Sequence, residues 1–341
     1  QAEQNYRKAL EIAPAWAEAL VNLGVVCNRQ GKTDEAVQAF TRAAEINPRL
    51  GPALLNLGVT HFRAGRYAEA AKPLEQLIGF EPANGQARRL LALCLIATEK
   101  FNEAANHLET LREAGGADEG VLLALGQSYL RLKEYKKAAA RLEELTRLAP
   151  ASAKARLLFG EALDNSSEPE RAIAEFRRAI ELDPKLPEAH YALGYALFRK
   201  GDMEEAAREF EQELKINPGF TLASYHLGKV YLNQGRIDEA AVALERVVSA
   251  APDFRPGLET YGQALFKKGD AARAVEYLER AVKLDPNWPD VRYLLGRAYM
   301  AVGRKEDAKK EFAAAQELTR QERKRLEESV ERRKEKGKRQ K

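Results

Sequence analysis

Residues 187–220 read PEAHYALGYALFRKGDMEEAAREFEQELKINPGF, and this stretch carries the clearest structural signal in the chain. Its apolar residues recur at spacings of three and four in two blocks, which predicts two amphipathic helices. Residues 200–202, Lys-Gly-Asp, separate the blocks with a glycine that can take a positive φ and an aspartate that can cap the next helix. Pro218 ends the second block because the residue before a proline avoids the α conformation. The stretch therefore predicts one helical hairpin.

The same pattern returns every 34 residues along the chain. The alanine of the second helix recurs as Ala36, Ala70, Ala104, Ala138, Ala172, Ala206, Ala240, Ala274 and Ala308. A glycine of the first helix recurs as Gly24, Gly58, Gly126, Gly160, Gly194, Gly228, Gly262 and Gly296, with Ala92 in the one gap. The closing proline recurs as Pro48, Pro82, Pro150, Pro184, Pro218, Pro252 and Pro286. Each hairpin has an apolar stripe that only a neighbouring hairpin can cover, so the period predicts a solenoid.

The period and these landmark residues resemble the tetratricopeptide repeat family. The glycine ladder matches the family's small residue in the first helix, and the alanine and proline ladders match its alanine and closing proline. The bulky residue that follows the alanine by four places is also present, as Phe40, Leu74, Leu108, Leu142, Phe176, Phe210, Leu244, Leu278 and Phe312. The resemblance implies an all-α, right-handed α-solenoid, a superhelix of stacked antiparallel helix pairs.

The phase of the ladders predicts the boundaries of each segment. Residues 1–16 are predicted to form the second helix of an incomplete repeat. Nine full repeats then span 17–50, 51–84, 85–118, 119–152, 153–186, 187–220, 221–254, 255–288 and 289–322. Residues 323–341 are predicted to form a polar, basic C-terminal helix or tail, either a solvating cap or a weak contact for RNA, anionic lipid or an acidic partner. The chain starts without Met inside a hairpin, so we expect that an upstream segment was removed.

The composition places limits on the class of protein. The formal net charge of +4 over 341 residues does not call for a nucleic-acid partner. The longest apolar run, residues 90–97, is far below the ~20 residues that a membrane span needs. Cys27 and Cys94 lie two repeats apart, too far for a disulfide, and we expect both to pack as small hydrophobic residues. The compartment stays open: cytoplasmic, or exported if a signal segment was removed.

The sequence offers no recognisable catalytic chemistry. It has no phosphate-binding loop, no glycine-rich dinucleotide motif and no paired-histidine zinc motif. Its four histidines are scattered among the repeats, which favours packing or solvated roles over metal binding. We therefore predict that the protein is not an enzyme and that it has no catalytic residues, no metal and no cofactor.

The resemblance implies that the first helix of each repeat lines a concave groove, and two chemically different parts of that groove are expected. Its first part is apolar, with Val21, Val25, Leu55, Val59, Phe62, Leu93 and Leu123. Its second part presents Tyr191, Tyr195, Arg199, Tyr225, His226, Lys229, Asn233, Lys267, Tyr293 and Arg297. Aromatic faces next to cations suit an extended peptide with acidic or carboxylate groups. The alternative is a generic protein-binding groove, because tyrosine is common at the fifth residue of the repeat throughout the family.

These observations predict a non-catalytic scaffold that binds a protein or peptide partner along its concave face. A second hypothesis is self-association. If residue 341 of one chain were followed by residue 1 of another, the 34-residue period would almost be maintained. The tail of one chain could therefore complete the half repeat of the next and produce a head-to-tail filament.

Overall fold

The structure is a computed structural model that describes residues 1–339, with side chains as far as residue 329. Between residues 1 and 339 it contains nineteen α-helices and no β-strand. The helix α1 is Ala2–Ile12. The first helices of the hairpins are α2 (Ala17–Arg29), α4 (Gly51–Arg63), α6 (Gly85–Ala97), α8 (Glu119–Arg131), α10 (Ala153–Asn165), α12 (Ala189–Lys200), α14 (Thr221–Asn233), α16 (Arg255–Lys268) and α18 (Pro289–Ala301).

The second helices alternate with them along the chain. They are α3 (Thr33–Ile46), α5 (Tyr67–Phe80), α7 (Phe101–Leu111), α9 (Tyr135–Leu148), α11 (Pro169–Leu182), α13 (Met203–Ile216), α15 (Ile237–Ala250), α17 (Ala271–Leu284) and α19 (Lys305–Arg339). A π-helical turn, Arg112–Gly116, follows α7. The chain forms two compact units, Gln1–Pro184 and Lys185–Lys341, and within each unit consecutive helices pack against each other. The predicted all-α architecture of stacked helix pairs is confirmed.

The alanine and glycine ladders lie where the two helices of a hairpin touch. Every alanine of the ladder is fully buried, at 0 % exposure. A Cβ atom added to Gly24 would lie 2.6 Å from the ring of Phe40, which leaves no space for a side chain. Small residues occupy these positions because the two helices of each hairpin approach closely there.

The turn between the two helices of each hairpin uses one residue with positive φ. Six of these nine positions are glycines, with φ from 72° at Gly65 to 99° at Gly201. At the other three places Glu99, Lys133 and Ser167 take the same left-handed conformation, with φ of 59°, 59° and 66°. The turn geometry is therefore retained in all nine hairpins, although glycine is absent from three of the turns.

One helix begins later than the 34-residue period predicts. The period places the start of α12 near residue 187, whereas the helix begins at Ala189 and Glu188 has a φ of 68°. The fully buried Glu213 of α13 supports this shortened start. Its carboxylate accepts hydrogen bonds from the backbone N–H groups of Glu188 (3.1 Å) and Tyr191 (3.3 Å). A side chain of the second helix thus caps the first helix of the same hairpin.

The predicted C-terminal tail is part of a single long helix. The helix α19 runs without interruption from Lys305 to Arg339, while residues 340–341 of the predicted tail lie outside the described residues. The filament hypothesis stays a prediction. Cys27 and Cys94 are free thiols and both are buried, as expected for residues that pack as small hydrophobic groups. Within residues 1–339 no helix has the length and apolar character of a membrane span.

Candidate functional site

The predicted apolar set lies on α2, α4, α6 and α8 of the unit Gln1–Pro184, and most of it is occupied by packing. Val21 is only 7 % exposed and belongs to the core around Phe40. Phe62 is half-buried and packs edge to face on Tyr67, with 5.4 Å between ring centroids. Leu93 is the most accessible member, at 37 % exposure. The remaining members are half-buried: Val25, Leu55, Val59 and Leu123.

The predicted aromatic set lies in the unit Lys185–Lys341, and part of it forms one continuous cluster. Tyr191 and Tyr195 are one turn apart on α12, and their rings stack with centroids 6.1 Å apart and planes at 18°. Tyr225 of α14 packs edge to face on Phe254 at 5.2 Å. We call Tyr191, Tyr195, Tyr225 and Lys229 the tyrosine–lysine face. These side chains come from two successive first helices, so the stacking of hairpins brings them together.

His226 lies at the centre of this cluster. Its ring is 5.0 Å from that of Tyr195 and 5.1 Å from that of Tyr225, and it stacks on Phe210 at 5.8 Å. Burial, together with the nearby Lys229 ammonium group, lowers the pKa of His226 to about 4. The imidazole is therefore neutral near pH 7. His226 contributes packing to the site, whereas the sequence grouped it with the polar residues offered to a ligand.

Lys229 supplies the positive charge of the cluster. Its ammonium nitrogen lies 5.5 Å from the ring centroid of Tyr225 and 5.6 Å from that of Phe198, within the range of cation–π attraction. No carboxylate lies within ion-pair distance of this nitrogen among the side chains that the structure describes. The two rings hold the ammonium group in place and leave its hydrogen-bonding capacity available.

Seven of the twelve tyrosines fall into two classes according to their hydroxyl groups. In the first class the hydroxyl donates to a glutamate: Tyr129 to Glu109, Tyr231 to Glu211, Tyr261 to Glu245 and Tyr299 to Glu279, at 2.6 to 3.0 Å. In the second class, Tyr191, Tyr195 and Tyr293 have no hydrogen bond to another described side chain. Burial raises the pKa of Tyr191 to about 12, so its hydroxyl stays protonated and can donate to a ligand.

The other predicted members extend along the same row of helices without joining the cluster. Arg297 on α18 lies over the ring of Phe266, at 5.0 Å from its centroid, and Tyr293 is 56 % exposed beside Phe312. Arg199, Asn233 and Lys267 are exposed at the ends of their helices. Five of the ten predicted residues therefore lie close together: Tyr191, Tyr195, Tyr225, His226 and Lys229. The other five lie outside this cluster.

Sequence reasoning missed Glu259. It stands on α16 at the same place of its repeat as Tyr191, Tyr225 and Tyr293, so the 34-residue period could have identified it. Burial and the neighbouring Asp290 raise the pKa of Glu259, and Lys229 partly opposes this shift. The row of first helices thus carries an acidic position between the cations Lys229 and Arg297.

One group of residues has the donor atoms that a metal could use, but cations already fill the space around it. Ligand atoms of Glu3, Cys27 and Glu35 lie within 4.8 Å of one another. Arg7 pairs with both glutamates, and Lys32 contacts Glu3 at 2.9 Å. Burial is the main reason that the pKa of the Cys27 thiol is raised, which disfavours the thiolate that a metal needs. This group is better described as an ion-pair network.

Comparison with known families identifies the repeat. Three family models, each described as tetratricopeptide repeat, match the chain. One matches residues 61–127, 197–257 and 265–327, the second matches 123–187 and 160–220, and the third matches 17–80. The chain belongs to the tetratricopeptide repeat family. Proteins of this family are typically non-catalytic interaction scaffolds, and membership supports the same broad role for this tetratricopeptide repeat protein. No curated protein sequence matches the chain significantly.

Several solved structures are similar to this tetratricopeptide repeat protein. A tetratricopeptide repeat protein from Parabacteroides merdae ATCC 43184 is 18 % identical with a TM-score of 0.54, and the match covers 73 % of this chain and 98 % of that one. MamA from Desulfovibrio magneticus RS-1, residues 41 to end, is 28 % identical with a TM-score of 0.47, covering 50 % and 96 %. YrrB, described as a TPR protein with an unusual peptide-binding site, is 24 % identical with a TM-score of 0.49, covering 52 % and 91 %. The first of these matches supports the fold.

Proposed function

We propose that this protein binds an extended, acidic segment of a partner protein across the first helices α12, α14, α16 and α18. The observation that carries the proposal is the tyrosine–lysine face. It combines stacked aromatic rings, a lysine with no carboxylate partner among the described side chains, and two tyrosine hydroxyl groups that no described side chain engages. Tyrosine and arginine are among the residue types that contribute most to binding at protein interfaces.

The charges along these helices suggest which residues of the partner meet which positions. Lys229 would pair with one acidic group and Arg297 with another, because charge-assisted hydrogen bonds to carboxylates are the strong ones. Glu259 lies on the helix between them and would repel a third carboxylate. We therefore propose a partner segment with two acidic positions separated by a neutral or basic one.

A peptide-display selection on the purified protein, followed by titration of the selected peptides, tests this function. The double variant Lys229→Glu with Arg297→Glu is expected to weaken binding of those peptides at least about tenfold, since hydrogen bonds to charged groups contribute about 1.5–3 kcal/mol each. Arg297 is exposed, and the half-buried Lys229 has no ion pair to lose among the described side chains, so we expect helicity and melting temperature to stay unchanged.

The matched control carries the same change of charge elsewhere. The double variant lowers the formal net charge from +4 to zero, and Lys283→Glu with Lys305→Glu does the same at two exposed lysines on second helices. The control should retain wild-type affinity. Equal affinities for wild type and the Lys229–Arg297 variant, or equal losses in both double variants, would contradict the proposed site.

A further inference from the structure

A cavity lies in the unit Lys185–Lys341, between two of the second helices. Its volume is about 520 Å³, and it opens between α13 and α15 with α14 as its floor. The floor and walls are mainly apolar, formed by Leu214, Leu227 and Val242, and the methyl group of Ala243 completes them. Val242 is 54 % exposed at its edge. None of these residues belongs to the tyrosine–lysine face, so a ligand of this cavity is distinct from the partner in the proposed function.

The repeat that forms this cavity lacks a pair of long side chains that several other repeats carry. In four other repeats the two corresponding positions hold residues that contact each other across the hairpin. These pairs are Arg88–His107 at 3.2 Å, Arg156–Glu175 at 2.8 Å, His190–Glu209 at 2.6 Å and Arg292–Glu311 at 2.6 Å. At the same positions the seventh repeat has Ser224 and Ala243, both buried. Two short side chains thus stand where those repeats have two long ones, and Ala243 lines the cavity.

Most of the acidic groups at this cavity are in ion pairs, whereas two of its cations have no ion pair among the side chains up to residue 329. Two of the three acidic groups on its rim are in ion pairs, Asp238 with Lys268 at 2.8 Å and Glu239 with Arg236, while Glu211 accepts from the neutral Tyr231 hydroxyl at 2.6 Å. Arg246 has no ion pair with any side chain up to residue 329. Lys215 donates only to the neutral amide oxygen of Gln212, at 3.3 Å. Lys215 and Arg246 both follow the apolar residues on their helices, so the cations lie toward one end of the cavity.

We propose that this cavity is a docking site for a partner protein that inserts one large apolar side chain, with an acidic residue next to it in sequence. The volume lies in the range of small binding pockets and fits an aromatic side chain together with part of its neighbour. The apolar floor accommodates the ring, and Arg246 with Lys215 pairs with the adjoining carboxylate. The cavity shares no residue with the tyrosine–lysine face, so its ligand and the partner of the proposed function would not compete for the same side chains.

Methyl NMR of the full-length protein tests this proposal with defined probes. The probes are the capped dipeptides acetyl-Phe-Glu-amide, acetyl-Phe-Lys-amide and acetyl-Ala-Glu-amide at millimolar concentration. The Phe-Glu probe is expected to shift the methyl signals of Leu214, Leu227 and Val242. We expect it to bind at least about threefold more tightly than the Phe-Lys probe, because only the former satisfies Arg246. The Ala-Glu probe should cause no comparable shift.

Two variants test separately the apolar cavity and the positive charge beside it. Ser224→Arg with Ala243→Glu installs the side-chain pair that the chain already uses at Arg156 and Glu175, and it should abolish the methyl shifts. Arg246→Glu should reverse the preference between the Phe-Glu and Phe-Lys probes. It alters one exposed side chain, so it remains informative if the double variant does not fold. An absence of methyl shifts with all probes, shifts that a folded double variant retains, or an unchanged probe preference in Arg246→Glu would overturn the proposal.

The remaining alternative is that a second copy of this chain covers the cavity. Sedimentation of the wild type and of the Ser224–Ala243 variant distinguishes the two occupants. We expect the same monomeric sedimentation for both proteins. A wild-type dimer that the double variant converts to a monomer would assign the cavity to self-association and overturn the proposed partner.

Discussion

At the scale of single residues, the glycine ladder is explained by the bulky residue that faces it. In the first repeat three atoms of the Phe40 ring would lie 2.6 to 2.8 Å from a Cβ atom at Gly24. The ring is fully buried and rigid, so it cannot move aside. In the third repeat the ladder position is Ala92, and the residue that faces it is Leu108. A branched aliphatic side chain therefore accommodates a methyl group here, whereas we expect that an aromatic ring does not.

Replacing Gly24 with alanine is expected to lower the free energy of unfolding. Overpacking against Phe40 costs about 1–3 kcal/mol, which exceeds the ~1 kcal/mol that alanine gains over glycine in a helix. Chemical denaturation followed by circular dichroism measures the difference. Gly79 is the matched control: it lies on α5 with no atom within 4 Å of an added Cβ, so Gly79→Ala should leave stability unchanged or raise it. A Gly24→Ala variant as stable as wild type would contradict the close contact.

At the scale of helices, a recurring contact joins each of several first helices to the second helix that precedes it. Tyr129, Tyr231 and Tyr299 stand at the same place of their repeats, and each hydroxyl donates to a glutamate 20 residues earlier. An arginine reinforces the contact in two of these repeats, with Arg236 at 4.0 Å from the Tyr231 ring centroid and Arg304 at 4.2 Å from that of Tyr299. These contacts connect successive hairpins.

The Tyr231 contact predicts a specific loss of stability at alkaline pH. Burial, and then the hydrogen bond to Glu211, raise the pKa of Tyr231 to about 12 from its ordinary value of 10.0. Since the folded state favours the protonated phenol, its contribution is complete below pH 10 and is lost as the pH rises through 12. Tyr231→Phe should therefore be less stable than wild type by about 1 kcal/mol near neutral pH. The difference should shrink and then vanish above pH 10.

Urea denaturation midpoints of both proteins across this pH range provide the measurement. The comparison is made between wild type and variant because the other tyrosines titrate equally in both. A stability difference that stays constant from neutral to strongly alkaline pH would show that the Tyr231 hydroxyl does not depend on its glutamate.

At the scale of the whole molecule, stability is expected to be local. Within each compact unit the main packing contacts join helices that are one or two apart along the chain. In such arrays each repeat is stabilised by its own contacts and those of its neighbours. A destabilising change in one repeat should therefore leave distant repeats intact.

Hydrogen exchange of the Gly24→Ala variant tests this locality. Amide exchange is expected to accelerate in α2 to α4, because these helices pack around Phe40, and to remain at the wild-type rate in α16 to α18. An equal acceleration throughout the chain would mean that the molecule unfolds as one cooperative body.

The 34-residue ladders were sufficient to predict the hairpins, the buried alanine positions and the residues that share each row of first helices. They suffice because a close contact between two helices requires a small residue, and this requirement repeats with every hairpin. Four of the ten residues predicted for the second part of the groove form the tyrosine–lysine face, and their role in binding a partner stays a prediction. Glu259 was missed because its acidic side chain does not match the proposed acidic ligand, although the period placed it in the same row.

The tertiary structure alone decided how those residues behave. His226 is neutral because rings from α12 and α14 surround it, and no pattern within one helix reports this desolvation. Likewise the carboxylate of Glu213 in the next helix accepts hydrogen bonds from the backbone at the late start of α12, and the short side chain of Ala243 lines the cavity beside Val242. The 34-residue period determines on which face of its helix a side chain lies. Its charge state and the space around it are set by the particular side chains that other helices bring next to it.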